Sequence, residues 1–65
     1  MRILLNGKSV EILKTDLDET LLELGYNSAV VATALNGEFV PVTLRAGTNL
    51  EPGDSIEVLA PMQGG

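Results

Sequence analysis

Two Asn-Gly pairs, Asn6-Gly7 and Asn36-Gly37, each stand between short runs of branched aliphatic residues. Asparagine and glycine tolerate the positive φ that a type I′ turn requires at both central positions, and the twist of that turn matches the twist of paired strands. Each pair therefore predicts a tight antiparallel hairpin. In "RILLNGKSVEIL" the first joins strands at 2–5 and 9–13, with Val10 and Ile12 on one face and Ser9 and Glu11 on the other. The second joins "AVVATAL", apolar on both faces as a central or helix-covered strand is, to a short strand at 38–40. Pro41 has no N–H to give a ladder and marks an edge or an ending.

Between the hairpins the apolar period changes. Leu17, Leu21 and Leu24 recur at helical spacing, acids crowd the first turn at Asp16, Asp18 and Glu19, and Gly25 follows as a terminator. Thr15 and Asp18 have capping-box spacing. This predicts a helix over 16–24. "TLRAGTNLEPGD" reads as loop, with Leu50 as its anchor and Pro52-Gly53 as a turn of type II character. The last strand is "SIEVLA", where Ile56, Val58 and Ala60 alternate with Ser55, Glu57 and Leu59.

The order β-β-α-β-β-β, with a lone helix whose leucine stripe needs cover, is met by an α+β architecture: a small mixed sheet packed on one helix. This is the β-grasp, or ubiquitin-like, arrangement, with first and last strands adjacent and parallel. The chain's 65 residues support one core, which must be aliphatic because only 3% of residues are aromatic while 45% are hydrophobic. With no cysteine, no disulfide reinforces it.

The composition also limits function. Nine acids against four bases, a formal charge of −5, argue against nucleic acid and anionic membranes and suit docking to a basic partner. No stretch reaches the length of a membrane span, and no signal peptide is recognisable, so a soluble cytoplasmic protein is expected. Without His or Cys there is no imidazole base, thiolate or transition-metal ligand set. Ser9, Ser28 and Ser55 lack activating partners, and Lys8 and Lys14 are solvated. The acids Asp16, Asp18, Glu19 and Glu23 read as helix capping and solvation. Gly47 and Gly53 lie too far apart for a phosphate-cradling loop. No enzymatic activity, bound metal or resident cofactor is expected.

What remains is the tail. Domain signals end at Pro61, giving a domain over 1–61 and a tail over 62–65, Met62, Gln63, Gly64 and Gly65. Four extended residues reach ~13–14 Å, and the two glycines lack the Cβ atoms that would clash in a narrow channel. The Gly65 carboxylate can thus be presented inside another protein's active site. Conversion to an acyl-adenylate would give it a good leaving group for attack by sulfur or nitrogen. Leu59, opposite the Ile56–Val58–Ala60 face, is expected to be exposed at the root of the tail with Phe39 and Met62, as a docking patch. These residues alone leave open a carrier, a conjugating modifier, and a plain interaction module with an incidental tail.

"LNGEFVP", "PGDSIEVLAPMQGG" and the overall length resemble the ThiS family, the sulfur carriers of thiamine biosynthesis, over nearly the whole chain. The Gly-Gly alone is shared with the molybdopterin-synthase small subunit, whose sulfur goes to another acceptor. The resemblance implies that an ATP- and magnesium-dependent ThiF-type adenylyltransferase activates Gly65, with Gly64 its required companion. A persulfide-bearing donor then supplies sulfur, and the resulting thiocarboxylate serves thiazole synthase, ThiG. Many members place Arg after Val-Pro and a tryptophan shortly after; here Val42-Thr43-Leu44-Arg45 follows Pro41 and no tryptophan occurs.

Overall fold

The computed structural model describes residues 1–26 and 31–60. Strands β1 (Arg2–Leu5) and β2 (Lys8–Glu11) form the first hairpin, and helix α1 (Leu17–Glu23) follows. Strands β3 (Ala32–Leu35) and β4 (Glu38–Val40) form the second hairpin, then come a 3₁₀ helix (Val42–Gly47) and strand β5 (Ser55–Leu59). Both Asn-Gly turns have the expected backbone: φ is 50° and 86° at Asn6 and Gly7, and 51° and 88° at Asn36 and Gly37.

The five strands make one mixed sheet in the order β2-β1-β5-β3-β4. The first and last strands pair in parallel, Leu4 with Ser55 and Leu5 with Ile56. β5 is therefore central, flanked on its other side by antiparallel β3. This is the β-grasp sheet expected from the element order. Ile3, Ile12, Leu17, Leu21, Val40, Leu50, Ile56 and Val58 are buried together, and full burial of such side chains stabilises the fold by roughly 1.5–3 kcal/mol each. Leu50 is the anchor its loop needed.

Several local expectations are corrected. β2 runs over Lys8–Glu11 rather than 9–13, and Leu13 is exposed. Ile12 still reaches the core, its N–H donating to the Met1 carbonyl at 2.8 Å. The helix N-cap is Asp16, not Thr15: Asp16 Oδ1 accepts from the Glu19 N–H at 2.7 Å. The Thr15 carbonyl instead accepts from the Leu50 N–H at 2.7 Å, which holds it in the incoming chain. Leu24 is the C-cap and Gly25 follows at φ 98°. The first five residues of the predicted loop, 43–47, belong to the 3₁₀ helix, which starts at Val42. Ala60 is exposed, because the β5 ladder ends at the Leu59–Ala32 pair. β3 is an interior strand, between β5 and β4, but only its Thr33 is buried; Ala32, on the other face, is exposed. The beginning of the predicted third strand at Ala29 and Val30, and Ser28 before it, lie outside the described residues, as do 61–65.

Candidate functional site

β5 carries the chain toward its C-terminus, so its surroundings form the root of the tail. One face of the sheet packs on α1 and the other is open. Register assigns the residues to the open face, since directly paired residues point the same way and alternate residues share a side. Leu59 lies opposite Ala32, and Phe39 opposite Ala34. Leu59, Ala32, Ala34 and Phe39 thus share the face that Ile56 and Val58 do not. Leu59 and Phe39 are both 69% exposed, and the alanines between them are too short to cover either. The sequence pattern had placed both on the surface. Glu57, opposite Ala34, adds an acid to the same patch.

Farther across this face, Leu4 of β1 is exposed between Ser9 and Ser55, and beyond it the corner formed by β1 and β2 is polar. Arg2 donates from Nη1 to Ser9 Oγ at 3.1 Å, and its Nη2 lies 3.2 Å from Glu11. An ion pair this exposed stabilises little. Its consequence is to separate the apolar corner near the end of β5 from a charged corner.

Met62, Gln63, Gly64 and Gly65 lie beyond the described residues. Among the described residues, no cluster of three or more His, Cys, Asp or Glu could hold a metal ion, and no helix is long and apolar enough to cross a membrane.

Three residues matter here in ways that local pattern did not reveal. Asn6, read only as a turn former, uses its amide on β5: Oδ1 accepts from the Val58 N–H at 2.8 Å and Nδ2 donates to the Val58 carbonyl at 3.3 Å. Arg45 is 4% exposed. It donates from Nη2 to the Val31 carbonyl at 2.6 Å and from Nε to Thr33 Oγ1 at 3.2 Å, beneath the end of β3 that faces Leu59. Glu23 accepts from the backbone N–H groups of Leu13 and Lys14, and those bonds, Lys14 first and Leu13 second, lower its pKa. A lone arginine in an otherwise apolar stretch was the available signal for Arg45. For Asn6 no signal lies within its own segment, because its partner is 52 positions away.

The family model of ThiS matches residues 3–65. The chain belongs to the ThiS family. Its likeness to solved members extends over the whole molecule. The crystal structure of a thiamine biosynthesis protein, ThiS, from Geobacter metallireducens is 29% identical with a TM-score of 0.84, and the match covers 100% of both chains. The solution structure of a thiamine biosynthesis protein from the same organism is 32% identical with a TM-score of 0.81, covering 100% of this chain and 88% of that one. No curated protein matches the sequence. Membership in the ThiS family agrees with the β-grasp sheet and with the resemblance read from the sequence.

Proposed function

We propose that this protein is a small non-catalytic sulfur carrier of thiamine biosynthesis, with residues 1–61 as its domain and 62–65 as its working tail. The observation that carries the proposal is the family match, which continues through the terminal Gly64-Gly65 rather than stopping at the folded core. The chemistry follows from the tail's one functional group. A free carboxylate resists substitution, so an adenylyltransferase of ThiF type, using ATP and magnesium in its own site, first joins a Gly65 carboxylate oxygen to the α-phosphorus and releases pyrophosphate. The terminal sulfur of a persulfide donor then attacks the carbonyl carbon and AMP leaves. A thiol cleaves the resulting acyl disulfide and frees the thiocarboxylate. This chain has no cysteine, so every thiol in the sequence of steps belongs to a partner. The thiocarboxylate sulfur is then passed to thiazole synthase.

The open face supports this reading by offering the activating enzyme something to hold. Leu59 and Phe39 are both exposed on this face, and the Glu57 carboxylate beside them together with the chain's net charge of −5 favours a basic partner. Binding there leaves the side-chain-poor tail free to enter a channel.

The test is the intact mass of the chain after incubation with ATP, magnesium, a ThiF-type enzyme and a sulfur donor, beside a chain lacking Gly65. The expected result is a gain equal to replacing one oxygen by sulfur, absent from the truncated chain. No gain, with the enzyme active on its own carrier, would overturn the proposal.

A further inference from the structure

The asparagine of each hairpin turn does a second job, and the two jobs are at opposite ends of β5. Beyond Leu5 the parallel β1–β5 ladder has no further strand residue, yet it continues: the Asn6 N–H donates to the Ile56 carbonyl at 2.9 Å. The Asn6 side-chain amide then takes both backbone groups of Val58, as an added strand residue would. At the other end, the Asn36 N–H donates to the Ser55 carbonyl at 2.7 Å, and Asn36 Oδ1 accepts from the Ser55 N–H at 2.9 Å. Nδ2 of Asn36 donates to Asp54 Oδ1 at 3.1 Å. Asn36 thus fastens the start of β5, and Asn6 fastens its last turn of the ladder before the tail.

We propose that Asn6 is a positioning residue for the tail: its amide clamps Val58 on the side of β5 away from β3, and so fixes Leu59 and the point from which residues 60–65 project. The inference rests on the carrier function proposed above. Without the amide, the Val58 N–H and carbonyl lose both of these partners, since alternate residues of a strand bond to opposite neighbours. The strand end is then held only from β3, through the Ala34–Glu57 and Ala32–Leu59 pairs that flank Val58. A strand end paired on one side frays more readily. The tail would then leave from a moving root, and the docked complex would present the carboxylate in the right place a smaller fraction of the time.

Asn6→Gly isolates the effect, because glycine adopts the turn's positive φ while removing both side-chain bonds. Asn36→Gly is its control: the same substitution in the other Asn-Gly turn, loosening the far end of β5. A second variant, Asn6→Asp, keeps an acceptor for the Val58 N–H but turns an oxygen toward the Val58 carbonyl. The readouts are hydrogen exchange at the Val58 amide and kcat/KM for loading by the activating enzyme, at a temperature where every variant is folded. The expected result is faster Val58 exchange in both Asn6 variants. Loading should fall about tenfold in Asn6→Gly and stay within about twofold of wild type in Asn36→Gly, one or two neutral hydrogen bonds being at stake. If Asn6→Gly does not fold, Asn6→Asp carries the same comparison. Equal loading losses at both turns, or none in either Asn6 variant, would overturn the proposal. Failure to load the wild-type chain would instead sink the carrier reading itself.

Discussion

Arg45 donates from Nε to Thr33 Oγ1 at 3.2 Å, with both residues shut away from solvent. Thr33 passes the contact on, its own hydroxyl donating to the Val40 carbonyl at 2.9 Å. The 3₁₀ helix is thereby tied through β3 to β4, and no carboxylate pairs with Arg45 among the described residues. Its acceptors among the described residues, Thr33 Oγ1 and the Val31 carbonyl, are neutral, so there its desolvation is offset by bonds and packing rather than by a counter-charge.

Replacing that side chain should show which side of the balance prevails. Arg45→Ala removes buried volume and charged donors together and is expected to destabilise by about 2–4 kcal/mol. In a domain this small the melting midpoint moves by about 4–8 °C per kcal/mol. Arg45→Lys should recover only part, because one ammonium cannot follow the planar fork to both acceptors. Thermal melts of the three proteins check this; no loss in Arg45→Ala would mean that desolvation had cancelled the bonds.

Thr20 offers a change in the opposite direction. Its hydroxyl is fully buried against the core with no hydrogen-bond partner among the described residues. Thr20→Val keeps the branched shape and removes the unsatisfied group, so a gain of about 1 kcal/mol is expected. Urea denaturation would read it as a higher midpoint at unchanged slope. A lower midpoint would show that the hydroxyl is satisfied in solution.

Glu23 makes part of the stability depend on pH. The Lys14 and Leu13 N–H groups favour its charged form, so its pKa is lower in the fold than in the unfolded chain. A depressed carboxyl pKa means that the contribution is fully present above the unfolded value of about 4.3 and is lost as pH falls through the folded value. Denaturation of wild type and Glu23→Gln across pH 7 to 3 should therefore show two curves, wild type the higher, that converge on the acid side. A constant gap at every pH would contradict this.

Leu59 tests the open face. At 69% exposure it contributes little to the core, so Leu59→Glu should change stability by less than about 0.5 kcal/mol. Affinity for a ThiF-type adenylyltransferase, the partner proposed above, should fall about tenfold or more with Leu59 as an anchor of the proposed docking patch. Titration calorimetry against that enzyme measures it, with circular dichroism as the check on folding. Unchanged affinity in the folded variant would remove Leu59 from the interface.

What the sequence by itself determined is what a few neighbouring residues can enforce. Both Asn-Gly turns lie where they were read, since positive φ is a local demand that few other residues meet. The leucine period located α1, and the alternation in "SIEVLA" correctly separated buried Ile56 and Val58 from exposed Leu59. Local reading erred where two neighbours could serve one role. Thr15 and Asp16 are both competent caps, and the choice was made by Leu50, which claims the Thr15 carbonyl.

Tertiary structure decided the remainder. Parallel pairing of β1 with β5 was inferred as the compact way to cover the helix, yet its register, the Asn6 grip on Val58 and the burial of Arg45 depend on residues far apart in the chain. An asparagine amide has no preference for valine's backbone over any other, and an arginine in a loop ordinarily faces water. Each takes its role because closure of the sheet excludes water and leaves one set of partners within reach. That selection belongs to the assembled fold, where an unmatched polar group costs more than any local propensity can offset.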